Sequence, residues 1–318
     1  MIKDTIIATI LCFAITAVLC PIGIPLLHKL KFGQYIRELA PDQHKKKSGT
    51  PTMGGIMFIA AIMITTLIFA GRYPKIIPVA LFILLFGIIG FLDDFLKTVK
   101  KQNEGLKVWQ KLLMQFIVSG VFIAYIYRHP EIGTEIIIPF SGMTADLGWV
   151  FIPFALFVIV GTDNGVNFTD GLDGLCASVT CAVAAFFAVA AIVLDIQIAP
   201  IAGAVAGAML GYLIWNVYPA KVFMGDTGSL ALGGFVASFA LMTRLPLFII
   251  PVGIIYLVEV ISVILQVGFF KATKGRRLFK MAPIHHHFEL CGWKETRVVA
   301  VFTIVTIIMC MAAYMGLK

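Results

Sequence analysis

The sequence predicts an all-α, polytopic integral membrane protein of about ten transmembrane helices, and three observations carry that reading. Hydrophobic residues make up 60% of the 318 positions at a mean hydropathy of +0.97, which would coat a soluble domain of this length in one continuous sticky surface. Apolar runs long enough to cross a bilayer, about 20 residues each, recur throughout the chain. The Lys and Arg residues behind the net charge of +8 are sorted between alternate connections.

The runs fall at roughly 4–27, 53–70, 75–93, 109–127, 147–163, 174–194, 197–216, 228–243, 247–269 and 297–316. The first is read as a helix and not a signal peptide: its apolar stretch is too long, Asp4 dilutes the basic start, and no small-residue cleavage site follows. Between the fourth and fifth runs, "EIGTEIIIPFSGMTADLG" (residues 131–148) reads as a small external hairpin that turns at Ser141 and Gly142. In the seventh run Gly203, Gly207 and Gly211 recur every four residues and let a neighbouring helix approach closely. The polar connections at about 28–52 and 270–296 are too short to bury a core of their own, so residues 1–318 form a single transmembrane domain. The six cysteines include no C-x-x-C pair, which argues against a disulfide framework or a zinc site.

Ten spans put the odd-numbered connections on one face, and that face collects nineteen basic residues, among them Lys45, Lys46, Lys47, Lys97, Lys107, Lys111, Arg276 and Arg277, against six on the other. Basic loops mark the cytoplasmic side. Both termini are therefore expected outside.

Four polar segments share the basic face: "FLDDFLK" (91–97), "NGVNFTDGLDGL" (164–175), "FMGDTGS" (223–229) and "APIHHHFELCGW" (282–293). Their coincidence points to one pocket. Asp93 and Asp94 are expected at the C-terminal end of the third helix, where the macrodipole disfavours carboxylates. Compensation comes either from Lys97 at i,i+4 and i,i+3 or from a hard divalent ion such as Mg²⁺. Asp226 precedes the eighth helix between Gly225 and Gly228, and the free N–H groups there either bind phosphate or are capped by Asp226 or Thr227. Asn164, Asn167, Asp170 and Asp173 can read a base or ribose edge as well as hold a metal. Asn216 and Phe223 flank the next connection, with Phe223 able to stack on a base or simply to pack. His285, His286 and His287 sit in a basic loop that is either solvated or suited to phosphate or sugar; a zinc site is disfavoured, since three consecutive His cannot all face one ion comfortably. Lys45 to Lys47 suit either a diphosphate or anionic headgroups. Glu259, an ionisable group inside the ninth run, is either functional or a hydrogen-bonded or protonated packing residue.

Taken in order, "SGTPTMGG", "FLDDFLK", "NGVNFTDGLDGL", "FMGDTGS" and "APIHHHFELCGW" resemble the polyprenyl-phosphate N-acetylhexosamine-1-phosphate transferases. The match runs from the first basic connection through the tenth helix, and the histidine segment is similar to the muramoyl-pentapeptide branch more than to the GlcNAc-phosphate branch. The resemblance implies a Mg²⁺-dependent phosphoglycosyl transferase of the bacterial cytoplasmic membrane with its site facing the cytoplasm. Its partners would be UDP-MurNAc-pentapeptide, undecaprenyl phosphate and the lipid bilayer, with lipid I and UMP as products. The pathway would be peptidoglycan synthesis, hence cell shape and division. No nucleic-acid partner is expected, and the oligomeric state stays open, a homodimer included.

Carried over residue by residue, Asp93, Asp94 and Asp226 become the essential acids and the metal set, Asp226 foremost, with Lys97 beside them. Asn164, Asn167, Asp170, Asp173, Asn216 and Phe223 line the nucleotide pocket, Lys46 meets the substrate, and His285, His286 and His287 serve the substrate side. Attack of one phosphate on another needs positioning and charge neutralisation above all. Asp93 or Asp94 could take a proton from the acceptor phosphate, but its second pKa, about 6 for comparable monoesters, lets it attack without a general base; direct displacement is favoured, and a phospho-aspartate intermediate, which adjacent aspartates would permit, stays open. The rival reading is a transporter for a divalent cation or phosphorylated solute. Such sites lie near the bilayer midplane in internally repeated halves, whereas here the acids gather at one surface and no repeat is visible.

Overall fold

The computed structural model describes residues 1–30, 49–100 and 105–317. Its long helices are α1 (Ile2–Lys29), α2 (Gly55–Ala70), α3 (Ile76–Val99), α4 (Val108–Tyr127), α5 (Phe151–Thr169), α6 (Leu175–Val193), α7 (Ala199–Asn216), α8 (Gly225–Met242), α9 (Ile254–Ala272) and α11 (Glu295–Met315), with a short α10 (Ile284–Leu290) before the last. Each predicted span coincides with one long helix. By length and composition α1, α3 to α7, α9 and α11 can each cross a membrane, so the chain is a multi-pass membrane protein.

α8 reaches the same end point by a different route. Every residue from 227 to 242 is buried, because α8 is the axis of the bundle and packs chiefly on α3, α5 and α2. Its small residues allow this: a Cβ on Gly228 would lie 3.1 Å from the Gly55 Cα, and one on Gly234 would lie 3.0 Å from the Phe86 Cβ. Sheathed by protein, α8 meets no lipid and can carry polar groups at little cost. The glycine stripe of α7 works as its spacing predicts, against α1: added methyls would fall 2.8 Å from Thr5 O at Gly203, 2.0 Å from Thr9 O at Gly207 and 2.6 Å from Phe13 O at Gly211.

The expected hairpin is present as β1 (Glu135–Ile137) and β2 (Thr144–Asp146), antiparallel with Ile136 opposite Ala145. Ile137 N–H donates to Arg244 O at 2.8 Å and Phe140 N–H to Gly316 O at 3.2 Å, so the hairpin, the end of α8 and the end of α11 lie together. At that end of the bundle, too, the start of α1 meets the α2–α3 turn, Asp4 accepting from Tyr73 Oη at 2.6 Å and pairing with Arg72 at 2.8 Å. The four polar segments occupy the opposite end.

Five boundaries differ from expectation, each for a local reason. α3 runs on to Val99, so Asp93 and Asp94 lie more than a turn inside the helix, out of reach of its terminal dipole. α5 continues to Thr169, placing Asn164 and Asn167 on helix and not loop; the Asn164 amide donates back to Val160 O at 2.8 Å, satisfying itself within the helix. α8 begins at Gly225, which puts Asp226 in its first turn. The ninth run is split at Gly253 into a helical turn, Ile249–Val252, and α9, with Pro246 and Pro251 breaking the earlier part. The histidine segment is no loop: it forms α10, started by extended Pro283 and ended near Gly292, whose φ is +92°.

Candidate active site

The site is built where α3 and the start of α8 touch. A Cβ on Gly90 would lie 2.0 Å from Asp226 O and one on Gly55 2.4 Å from Gly228 N, so only glycines let α2, α3 and α8 approach this closely. One turn beyond Gly90, Asp94 turns its carboxylate onto the α8 N-terminus. Its Oδ2 accepts from Thr227 N–H at 2.8 Å and Thr227 Oγ1 at 2.7 Å, and its Oδ1 from Asp226 N–H at 3.2 Å. The N–H groups expected to receive phosphate or a local cap are thus taken by a cap delivered from another helix. Gly225, with φ +70°, makes room for it: a side chain there would meet Asp94 Oδ2 at 2.4 Å.

Asp93 points to a different neighbour, as the 100° between consecutive helical side chains requires. Its Oδ1 accepts the Leu106 N–H at 2.7 Å. The carboxylates of Asp93, Asp94 and Asp226 then converge, with one oxygen of each within 4.8 Å of the others. Lys97 reaches all three, its Nζ lying 2.6 Å from Asp93 Oδ2, 3.0 Å from Asp226 Oδ2 and 3.8 Å from Asp94 Oδ1. Its ammonium pairs with both neighbours on its own helix, as one of the two sequence alternatives has it, and with Asp226 besides. A divalent ion would draw on the same oxygens.

Asp226 is held on every side. Lys111 Nζ lies 3.0 Å from its Oδ2, and Asn167 Nδ2 donates to its Oδ1 at 3.0 Å and to Ser229 Oγ at 2.8 Å. Lys111 entered the sequence reading only as one loop charge among many. One turn along α4 from it, Gln115 Nε2 donates to Asp163 Oδ2 at 2.5 Å, and Asp163 is one turn along α5 from Asn167. The α4–α5 seam is therefore a two-rung polar ladder, with Lys111 and Asn167 on Asp226 and, deeper, Gln115 on Asp163. Asp163 is fully buried, and among the described residues its Oδ1 has no hydrogen-bond partner. The signal was present: Asp163 is an ionisable residue in an apolar run, the criterion that singled out Glu259.

The remaining expected residues frame the turn at 170–174. Asn216 Oδ1 accepts Gly174 N–H at 3.1 Å while its Nδ2 donates to Val222 O at 2.9 Å. Asp173 accepts the Ala220 N–H at 2.9 Å and gives its own N–H to Glu295 Oε1 at 2.6 Å. Asn164 lies 3.4 Å from Gln115 Oε1, on the ladder and not in the turn. Phe223 is half-buried, its backbone bonded to Pro51 O and Gly54 N at 2.8 Å. Asp170 closes α5 as its C-terminal cap. On α10, His285 is buried, His286 Nδ1 lies 2.9 Å from Glu289 Oε2, and His287 Nδ1 accepts the Lys280 N–H at 3.1 Å. Lys46, with Lys45 and Lys47, lies outside the described residues.

Sequence comparison reaches the same region. The glycosyl transferase family 4 profile matches residues 76–244, from α3 to just past α8, and the phospho-N-acetylmuramoyl-pentapeptide-transferase signature 1 matches residues 47–59. The chain is 52% identical to the phospho-N-acetylmuramoyl-pentapeptide-transferase of Clostridium novyi, over 98% of this chain and 96% of that one. It is 50% identical to the Clostridium perfringens protein of that name, over 98% of each chain, and 50% identical to that of Clostridium botulinum, over 100% of this chain and 98% of the relative. A likeness this deep and this complete, centred on the helices that bring the three aspartates together, shows that the chain belongs to the phospho-N-acetylmuramoyl-pentapeptide-transferase family.

Proposed function

We propose that the chain transfers phospho-MurNAc-pentapeptide from UDP-MurNAc-pentapeptide to undecaprenyl phosphate, forming lipid I and UMP at the cytoplasmic face of the bacterial inner membrane for peptidoglycan synthesis. The observation that carries the reading is the convergence of Asp93, Asp94 and Asp226, with oxygens within 4.8 Å of one another, at one end of a membrane bundle in a chain of this family.

The donor set fits Mg²⁺: Asp93, Asp94 and Asp226 bring hard carboxylate oxygens from two helices to one place, enough for an ion that takes one or two of them and completes its shell with water and phosphate. Asp226 with Asp93 or Asp94 would hold it, and when bound it would neutralise diphosphate charge. Lys97 and Lys111 supply further positive charge at the same place. Asn167 and Lys111 fix the Asp226 carboxylate, so it does not reorient as charge shifts during transfer. An acceptor phosphate that is already ionised attacks without a general base, which favours a single displacement. The polyprenyl tail needs access from lipid, and Phe91, Leu92 and Phe95 on α3, all exposed, flank the aspartates on that side.

The test is incorporation of radiolabelled UDP-MurNAc-pentapeptide into butanol-extractable lipid by purified protein with undecaprenyl phosphate and Mg²⁺. Labelled lipid that requires all three supports the proposal. Absence of lipid product from folded protein refutes it, and uptake of label into vesicles without lipid product favours transport.

A further inference from the structure

Glu259 is fully buried in α9, in an apolar run where a carboxylate is costly unless another group meets it. The group that meets it is His285 of α10, whose Nδ1 lies 3.1 Å from Glu259 Oε1 with the imidazole 1% exposed. Among the described residues neither side chain makes an aligned hydrogen bond, so the contact is one of close packing between two polar groups. The other edge of the ring faces the turn that follows α5. A methyl group on Gly171 would lie 2.1 Å from His285 Nε2 and 2.5 Å from its Cε1; the ring fills space that only glycine leaves open.

That turn is held on two further sides, by Glu295 of α11 on the Asp173 N–H and by Asn216 of α7 on the Gly174 N–H, at 2.6 and 3.1 Å. Those two are hydrogen bonds to backbone and set their own geometry. The third side is a ring pressed on a Cα, and Glu259 stands behind that ring.

We propose that Glu259 is a positioning residue which, through His285, sets the placement of the turn at 170–174 against the nucleotide. Outer carboxylates orient functional imidazoles in the same way elsewhere; here the imidazole in turn braces a loop. The nucleotide half of this statement rests on the function proposed above, and the bracing half does not.

The experiment uses the full chain in lipid nanodiscs, as wild type, Glu259→Gln, Gly171→Ala and the double variant. It reads backbone hydrogen exchange across residues 170–174 together with UMP affinity by calorimetry, with a melting scan confirming folding. Glu259→Gln keeps the shape and replaces the carboxyl group by an amide. Exchange in the turn is expected to rise and UMP affinity to fall by about tenfold each, the equivalent of about 1.4 kcal/mol, while amides in the middle of α6 keep their protection. Gly171→Ala should do the same by pushing the ring away, and the double variant should be no worse than Gly171→Ala alone, because both changes act through one ring. Wild-type exchange in Glu259→Gln, or effects that multiply in the double variant, would overturn the proposal. Should Glu259→Gln fail to fold, Gly171→Ala decides alone, and unaltered exchange there overturns it. A wild-type protein that takes up no UMP sinks the nucleotide reading, and the exchange data still decide the brace.

Discussion

Asp94 on α3 caps the helix that carries Asp226, its Oδ2 accepting both the N–H and the hydroxyl of Thr227, at 2.8 and 2.7 Å. Of the three converging acids, this one also holds the fold. Asp94→Ala should therefore lower the melting temperature, since losing an N-cap costs about 1–2 kcal/mol, and should abolish turnover as well. Asp226→Asn should abolish turnover at an unchanged melting temperature. Paired melting scans and lipid-product assays check this contrast; an Asp94→Ala protein as stable as wild type would remove the cap from the account.

Gly90 sets how close α3 comes to the first turn of α8. A methyl there would meet Asp226 O at 2.0 Å, and backbone cannot swing aside as a flexible side chain can. Gly90→Ala is expected to displace Asp226 from Lys97 and to lower kcat by about a hundredfold, the cost of misplacing a reacting group by an ångström. Product formation at saturating substrate measures it, and near-normal kcat would mean that the helix contact tolerates adjustment.

The deeper rung of the α4–α5 ladder has a stability signature. Gln115→Leu leaves the Asp163 carboxyl buried without its donor, a loss of about 1–3 kcal/mol or more. Gln115→Leu with Asp163→Leu removes both polar groups and should recover much of it. Unfolding of the two variants in nanodiscs gives the comparison, and a double variant less stable than Gln115→Leu would contradict it.

Lys111 separates charge from binding. Its Nζ lies 3.0 Å from Asp226 Oδ2, so Lys111→Met should lower kcat by about a hundredfold, the scale of one lost electrostatic donor, with folding intact. Initial rates across substrate concentrations test this. A change in KM alone would assign Lys111 to ground-state binding.

Much of this was legible in the sequence because burial in lipid leaves a strong mark. Apolar runs located all ten long helices, the Gly203, Gly207 and Gly211 stripe identified a close helix contact, and the Ser141–Gly142 turn signal marked the hairpin. Polar helix ends were harder. Asp93, Asp94, Asn164 and Asn167 were placed at or beyond helix termini because hydropathy falls there, yet their helices continue, since backbone hydrogen bonds persist where protein replaces lipid. Lys111 and Gln115 could not be linked to Asp226 and Asp163 from spacing, because that pairing depends on the rotation of α4 against α5. The cap by Asp94 spans 133 residues, and only the packing of α3 on α8 brings its two halves together.

The proposed function requires Asp93, Asp94 and Asp226 to form one ion-holding centre. Titration of Mn²⁺, as a paramagnetic substitute for Mg²⁺, onto the wild-type chain and Asp226→Asn in nanodiscs, followed by electron paramagnetic resonance, tests it most directly. One saturable ion per wild-type chain and none on Asp226→Asn is the expected result. An ion retained unchanged by Asp226→Asn would contradict it.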